Sequence, residues 1–152
     1  MSYAIDTNVL ARSVEADHPM QGQALDAIAA LVRAGESVCV LAQNFYEFWV
    51  IATRPREQNG LGVGVAEAEA FLARFESTFR LKADTAAIYS EWRRIVKHYS
   101  VKGKQAHDAR IVAAMKVHAI THLLTFNSGD FKRYPEITAA EPKDIIPQSS
   151  TP

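Results

Sequence analysis

The chain has 152 residues, of which 48% are hydrophobic, and its 17 basic and 17 acidic residues give a formal net charge of zero. Such a chain is long enough for one domain with an ordinary hydrophobic core. Its single cysteine, Cys39, excludes a disulfide framework, suits a reducing compartment and is expected to be an inert core thiol. No apolar run is long enough to span a bilayer and the N-terminus lacks a signal-type core, so we expect a cytoplasmic protein with no membrane partner.

Apolar runs of strand length alternate with longer runs of helix length along the chain. Strands that alternate with helices indicate a parallel sheet covered on both faces. We therefore predict an α/β fold, a three-layer α/β/α sandwich with a mostly parallel sheet of four or five strands, in one domain over residues 1–147 with a tail at 148–152. The predicted strands are 3–6, 37–41, 121–125 and 137–140, with a further short strand at 79–82, and the predicted helices are 20–34, 43–53, 65–78, 84–99 and 105–118.

The first candidate site residue is Asp6, which ends the first predicted strand and is followed by Thr7 and Asn8. Ligands bind at the carboxyl ends of parallel strands, because loops converge there and helix N-termini offer positive potential. Asp6 therefore lies where a metal-binding or catalytic carboxylate is expected. The alternative is that Asp6 or Thr7 only caps the helix that follows, by accepting from an unpaired backbone N–H group.

The second candidate is Glu47, in a predicted helix that is otherwise apolar around Phe45, Phe48 and Trp49 and that stops before Pro55. Burying a carboxylate in such surroundings is costly unless a cation, an arginine or a path to water accompanies it. Glu47 is therefore a candidate ligand for a cation. The alternative is a side chain in the polar gap of the helix that points to solvent.

The third candidate is Asp108, in the first turn of an alanine-rich helix that follows the glycine turn at Gly103. Acids in a first helical turn are favoured by the helix macrodipole alone, so a purely structural role is the alternative. His107 lies beside this acid. We expect it to pack or to form a hydrogen bond, and we do not count it as a metal ligand.

The last candidate cluster follows the strand predicted at 121–125 and contains Asn127, Ser128, Gly129 and Asp130. The first three residues are of the types that turns use, whether or not they also bind a ligand. Asp130 either supplies a further carboxylate or only caps the short segment that follows.

In chain order, these four motifs resemble those of PIN-domain ribonucleases of the VapC toxin type, and they span nearly the whole chain. One position departs from the family pattern, because Asn127 stands where many members carry a fourth acid in a Thr-x-Asp arrangement. Asp130, just before a phenylalanine, matches an acid of many relatives and is another source of the fourth carboxylate. The matching segments are Asp6-Thr7-Asn8-Val9-Leu10, Gln43 to Glu47 with Thr53-Arg54-Pro55, Gly103 to Arg110, and Leu124 to Phe131.

The resemblance implies a Mg²⁺- or Mn²⁺-dependent endoribonuclease that hydrolyses RNA phosphodiester bonds. It also implies a homodimer and a cognate antitoxin as the protein partner. Clustered carboxylates repel one another, which is the physical reason why such a site binds a cation or takes up a proton. The implied metal ligands and catalytic residues are Asp6, Glu47 and Asp108 with Asp130 or Asn127, and the residues implied to orient them are Thr7, Asn8 and Thr125.

Two other functions fit parts of the pattern. A phosphatase with Asp6 as a covalent nucleophile also begins with a strand and an aspartate, but it requires an acid two residues later, where Asn8 stands. A binding-only adaptor for RNA or for a protein partner follows if Asn127 marks a lost metal site. The intact Asp6, Glu47 and Asp108 argue against such a loss.

Basic residues flank the candidate acids along the chain. Because the net charge is zero, nucleic-acid binding would depend on such local patches. The alternative is ordinary solvated surface charge. The flanking residues include Arg54, Arg56, Lys102, Lys104, Lys132 and Arg133.

Overall fold

Five strands form the central sheet of the computed structural model, which describes residues 1–146. The strands are β1 Ser2–Ile5, β2 Ser37–Leu41, β3 Arg80–Lys82, β4 His122–Leu124 and β5 Thr138–Ala140. Their spatial order is β3-β2-β1-β4-β5. Every neighbouring pair is parallel, so the α/β prediction is confirmed and the sheet predicted as mostly parallel is entirely parallel.

Helices connect the strands, and the predicted bounds agree with the observed ones to within two residues. The helix expected after Asp6 runs over eight residues. A short last helix was not predicted and begins at a proline, which is favoured in a first helical turn. Within residues 1–146 the α-helices are α1 Thr7–Val14, α2 Gln21–Arg33, α3 Ala42–Thr53, α4 Val65–Thr78, α5 Ala86–His98, α6 Gln105–Val117 and α7 Pro142–Ile145.

The helices form a layer on each face of the sheet. Successive side chains of a strand point to opposite faces, and β1 shows this alternation. Tyr3 and Ile5 pack in a core cluster with apolar residues of α1 to α4, whereas Ala4 packs in a second cluster with apolar residues of α5 and α6. Because both faces of the inner strands β1, β2 and β4 are covered, these strands appear as largely apolar runs in the sequence.

The strand order reverses between β1 and β4. From β1 the chain continues to β2 and β3 on one side of the sheet, and it then returns to β4 and β5 on the other side. Ligand sites of open parallel sheets lie at such a reversal, beyond the carboxyl ends of the strands. Asp6 and Thr125 directly follow these two strands, and the backbone N–H of Asp6 donates to the carbonyl oxygen of Leu124 at 2.9 Å. The fold thus places the first and last motifs side by side.

The single cysteine is buried in β2, and its Sγ donates to the carbonyl oxygen of Tyr3 at 3.3 Å. Burial raises the pKa of the Cys39 thiol to about 11, against the opposing effect of Lys82 and Arg80. A thiol with such a pKa stays protonated at neutral pH and is a poor nucleophile. Cys39 is therefore a core residue.

No helix within residues 1–146 combines the length and the apolar character that crossing a bilayer requires. The tail predicted at 148–152 lies outside the described residues. The single domain over residues 1–147 stays a prediction.

Candidate active site

Asp6 is buried at the end of β1, with 7% of its surface exposed. Thr125 Oγ1 donates to Asp6 Oδ2 at 2.8 Å, and the backbone N–H of Thr7 donates to Oδ1 at 2.8 Å. The amide Nδ2 of Asn44 lies 3.4 Å from the same Oδ1. Asp6 does cap α1 through the bond from Thr7, as the structural alternative expects. Its carboxylate in addition accepts from two other elements of the fold.

Burial raises the pKa of the Asp6 carboxyl group to about 6, and the negative charges of Glu47 and Asp108 act in the same direction. The hydrogen bonds from Thr125 and Thr7 act against this increase. A like charge raises the pKa of a carboxyl group appreciably only when it lies nearby. Asp6 and Glu47 both accept a hydrogen bond from Thr7, so these two acids lie side by side at the edge of the sheet, and the charge of Asp108 acts on Asp6 from α6.

Glu47 lies on α3, and two donors hold its carboxylate. Thr7 Oγ1 donates to Oε2 at 2.9 Å, and Gln43 Nε2 donates to Oε1 at 2.8 Å. These partners, together with an opening to solvent, reduce the cost of a carboxylate on an apolar helix. The opening is a cavity of about 640 Å³, called here the Glu47 groove, which is lined by Gln43, Glu47, Ile51, Arg54, His107 and Arg110, among others.

Asp108 is half-buried in the first turn of α6. Burial raises the pKa of Asp108, the charges of Asp130 and Glu47 raise it as well, and His107 lowers it. Asp130 itself is exposed, in a 3₁₀ turn after β4. The charge of Asp130 therefore acts on Asp108, whereas the charges that act on Asp6 are those of Glu47 and Asp108.

Thr125 links the ends of β1 and β4 through one hydroxyl group. This hydroxyl donates to Asp6, and it accepts from Asn8 Nδ2 at 3.1 Å and from the backbone N–H of Asn127 at 3.0 Å. Asn8 Oδ1 in turn accepts from the backbone N–H of Phe126 at 3.1 Å. Asn127 thus takes part in the network through its backbone, while the residue is exposed.

Sequence reasoning named Gln43 and Arg110 only as parts of matching segments and missed their contacts. Gln43 Nε2 also donates to the carbonyl oxygen of His107 at 2.9 Å, and Arg110 Nη1 donates to Gln43 Oε1 at 2.8 Å. Arg110 Nη2 pairs with Asp84 Oδ1 at 2.9 Å. This chain of contacts orients the Gln43 amide so that its NH₂ group faces Glu47. The partners of Gln43 are 64 and 67 positions away, so no local sequence signal reveals them.

Asn44 was also missed, although it is fully buried beside Asp6. Its Nδ2 donates to Thr7 Oγ1 at 3.2 Å, and its Oδ1 has no hydrogen-bond partner within residues 1–146. A buried carbonyl oxygen without a donor costs about 1–3 kcal/mol, which a water or a cation can offset. One signal was available in the sequence, because Gln43 and Asn44 precede Glu47 by four and three positions and therefore share a helix face with it.

The donor set suits a hard divalent cation, although its members are not drawn together. Within the described residues, no three Asp, Glu, His or Cys side chains are close enough to form a ready metal site. The available donors are nevertheless oxygens, which Mg²⁺ and Mn²⁺ prefer. The negative charges of Glu47 and Asp108 raise the pKa of Asp6, and the charge of Glu47 also raises the pKa of Asp108. A bound cation relieves this repulsion. The oxygen donors present fit such an ion, which would need only one or two of these carboxylates directly.

Known structures share this fold over nearly the whole chain. VapBC2 from Rickettsia felis, bound to a DNA fragment from its promoter, has a TM-score of 0.67 and 14% identity, over 93% of this chain and 98% of that chain. VapC20 from Mycobacterium tuberculosis, a sarcin–ricin loop cleaving toxin, has a TM-score of 0.64 and 21% identity, over 88% and 95% of the two chains. FitAcB from Neisseria gonorrhoeae has a TM-score of 0.61 and 20% identity, over 93% and 98%. At these identities the likeness concerns the fold alone.

The sequence itself was compared with curated proteins and with protein families. The comparison with curated proteins found no match. A family model described as the PIN domain matches residues 3–137, which include every candidate acid from Asp6 to Asp130. The structural neighbours are toxins and toxin–antitoxin complexes of the VapC and FitB kind, in agreement with this match. The chain belongs to the PIN domain family.

Proposed function

We propose that this protein is a metal-dependent endoribonuclease that hydrolyses RNA phosphodiester bonds and acts as the toxin of a toxin–antitoxin pair. The observation that carries the proposal is the position of Asp6 and Glu47, which both accept from Thr7 at the carboxyl edge of the sheet, with Asp108 near enough for its charge to act on Asp6. Membership of the PIN domain, a family of nucleases, supports it.

In this proposal Asp6, Glu47 and Asp108 hold Mg²⁺ or Mn²⁺, and Asp130 or Asn127 completes the site. A bound ion would lower the pKa of a coordinated water and stabilise charge on the phosphoryl oxygens. Mg²⁺ usually keeps several waters and takes only one or two carboxylates together with a substrate phosphate. A site with few close carboxylates agrees with this coordination preference of Mg²⁺.

The neighbouring side chains fix two of the carboxylates before a substrate arrives. Thr125 and the backbone of Thr7 hold Asp6, while the hydroxyl of Thr7 and the amide of Gln43 hold Glu47. Groups that are oriented in advance need little rearrangement when charge develops on the substrate. Asn8 acts on Asp6 only through Thr125 and is therefore a positioning residue.

The role as a toxin and its partners rest on the fold neighbours. VapC20 is a sarcin–ricin loop cleaving toxin, and VapBC2 was solved on a DNA fragment from its promoter. By analogy we propose a cognate antitoxin, a homodimer and a cytoplasmic RNA target for this chain. The analogy is one of fold, so the identity of the RNA follows only from experiment.

The test is cleavage of end-labelled tRNA, and of an RNA that contains the sarcin–ricin loop, by purified protein free of antitoxin. We expect cuts with Mg²⁺ or Mn²⁺, no cuts with EDTA, and a loss of roughly 100-fold or more in Asp6→Asn. The matched control is Asp26→Asn, which removes the same charge from an exposed position on α2 and should cut like the wild type.

Each other outcome has a definite meaning. Cleavage that persists in EDTA or in Asp6→Asn contradicts a metal-dependent site at this acid. Metal binding by calorimetry without cleavage of any RNA contradicts the ribonuclease. Absence of both metal binding and cleavage, with RNA still bound, supports the adaptor instead.

A further inference from the structure

The segment after α3 forms a loop, residues 54–64, that folds back on the end of the helix. The helix ends here because the residue before Pro55 avoids the helical backbone conformation, and Arg54 is extended. Backbone hydrogen bonds then hold the loop in one shape. At 2.9 Å each, the N–H groups of Leu61, Gly62 and Val63 donate to the carbonyl oxygens of Ile51, Arg54 and Ala52.

This loop closes one side of a cavity of about 420 Å³ that has an excess of positive charge. Three arginines line the cavity against one glutamate, which leaves two positive charges unbalanced. Arg12 forms an ion pair with the glutamate, with its Nη1 2.6 Å from Glu15 Oε2. We call the cavity the arginine pocket, and its charged and polar side chains include Asn8, Arg12, Glu15, His18, Arg54 and Arg56.

Several donors of the arginine pocket lack partners. Arg54 Nη2 donates to the carbonyl oxygen of Asn59 at 3.0 Å, but its buried Nε has no hydrogen-bond partner within residues 1–146. The exposed Arg56 takes part in none of the ion pairs between described residues. His18 accepts from the backbone N–H of Met20 at Nδ1, so Nε2 carries the proton of the neutral ring. An unpaired buried donor such as Arg54 Nε is rare in folded proteins, and beside the free charge of Arg56 it indicates an anionic ligand.

The arginine pocket adjoins the candidate active site on two sides. Ile51 and Arg54 line both this pocket and the Glu47 groove, so their side chains form the ridge between the two cavities. On the other side the pocket is lined by Asn8, which belongs to the hydrogen-bond network of Asp6. The pocket therefore borders both the Glu47 groove and the hydrogen-bond network of Asp6.

We propose that the arginine pocket binds a backbone phosphate of the RNA strand next to the phosphodiester that is cleaved. The proposal names a substrate contact and rests on the proposed function. Arg54 and Arg56 present planar guanidinium groups, whose paired donors match phosphate oxygens. A single strand carries a phosphate at every nucleotide, so adjacent phosphates occupy the pocket and the carboxylate site at the same time.

An acidic peptide is the competing occupant. Its first carboxylate would fit the arginines, but its next ones would meet the negative charges of Glu47 and Asp6. A bound divalent cation would accept either a carboxylate or a phosphate there, but the match to the PIN domain, a family of nucleases, favours the phosphate of an RNA strand. The neighbouring positive and negative cavities therefore favour a nucleic acid strand.

The test measures binding separately from cleavage. In EDTA and in an Asp6→Asn background, fluorescence anisotropy follows a labelled oligouridylate of about 12 nucleotides. We expect Arg54→Gln/Arg56→Gln to weaken binding roughly tenfold at low salt, as for lost hydrogen bonds to charged groups. The slope of log Kd against log salt concentration should fall by about 0.7, the value for one phosphate contact on a single strand. The matched control, Arg33→Gln/Arg93→Gln, removes two exposed arginines outside both cavities and should change neither quantity.

The outcomes separate this inference from the proposed function. Equal affinity and slope in the pocket variant and the control overturn the inference, even if the wild type cleaves RNA. Loss of RNA binding in the pocket variant supports it, even if the wild type cleaves no RNA tested. The inference is also overturned if the pocket variant loses binding to a polyglutamate peptide but binds RNA as the wild type does. Arg56→Gln alone, at an exposed side chain, keeps the test decisive if Arg54→Gln unfolds the protein.

Discussion

The hydroxyl group of Thr125 forms three hydrogen bonds within the candidate site. A hydroxyl has one donor and two acceptor positions, and all three are used here, by Asp6, by Asn8 and by the backbone of Asn127. The proton of Thr125 must point to Asp6, because its other two partners are donors themselves. The hydrogen bond to Asp6 is thereby fixed in direction and favours the ionised carboxylate.

Replacing Thr125 with valine should therefore raise the pKa of Asp6. Loss of a hydrogen bond to a charged group is worth about 1.5–3 kcal/mol, which corresponds to an increase of about one pH unit or more above the present value. The measurement is the carboxyl carbon shift of Asp6 by NMR across a pH titration of the metal-free protein. Thr125→Ser keeps the hydroxyl and should restore the wild-type midpoint. An unchanged midpoint in Thr125→Val would mean that the bond does not stabilise the ionised form.

Part of this residue network was predictable and part was not. Asp6, Glu47 and Asp108 could be picked out because each acid interrupts or ends an apolar run in the sequence. The contact between Gln43 and Arg110 could not, because it depends on how α3 and α6 pack together. Pairing across the fold is set by tertiary structure, which a single sequence does not encode as a local pattern.

At the scale of elements, the conformation of the loop of residues 54–64 depends on the absence of a side chain at Gly60. A Cβ atom at Gly60 would overlap the backbone carbonyl group of Arg54. Gly60→Ala should therefore displace the loop and destabilise the protein by about 2 kcal/mol or more, since backbone on both sides must shift. Urea unfolding monitored by circular dichroism measures the change. Because Arg54 moves with the loop, the same variant should also weaken binding of the oligouridylate.

The control for this prediction is Gly22→Ala on α2, where an added Cβ has no atom within 4 Å. Alanine should there stabilise the protein by a few tenths to about 1 kcal/mol, because it restricts the unfolded chain and fits a helix. Equal effects of the two substitutions would show that the overlap at Gly60 is relieved without cost.

Strands and helices were predictable for a physical reason. The sheet is covered on both faces, so β1, β2 and β4 appear as continuous apolar runs. The spatial order of the strands was not predictable, because neighbours such as β1 and β4 are more than a hundred residues apart in the sequence. The short α7 was missed since four residues carry too little periodicity to identify a helix.

For the molecule as a whole, zero net charge hides an uneven distribution. Acids lie at the end of β1 and on α3 and α6, whereas the adjoining pocket holds Arg54 and Arg56, which form no ion pair within residues 1–146. A polyanion is therefore attracted to one restricted part of the surface, and long-range steering by total charge is absent. We expect the salt dependence of RNA affinity to come from such local contacts, at about 0.7 in the slope of log Kd for each phosphate bound.

The same acids make global stability depend on pH. The pKa of Asp6 is raised in the folded, metal-free protein from its ordinary value of 3.8 to about 6. The folded state thus binds this proton more tightly than the unfolded chain does. The contribution of Asp6 to stability is therefore full below about pH 4 and is lost as the pH rises through 6. By linkage the loss approaches about 3 kcal/mol at neutral pH.

The difference between wild type and Asp6→Asn isolates this effect, because all other titrating groups are common to both. Without metal, the free energy of unfolding of Asp6→Asn minus that of the wild type should increase as the pH rises from about 4 to about 7.5. Mn²⁺ should then restore the wild type above about pH 6, since it binds ionised carboxylates, and should leave Asp6→Asn unchanged. Urea titrations at several pH values with and without Mn²⁺ measure both, with Asp26→Asn as the control. A difference that is flat with pH would mean that Asp6 ionises normally in the folded state, and equal stabilisation of both proteins by Mn²⁺ would place the ion elsewhere.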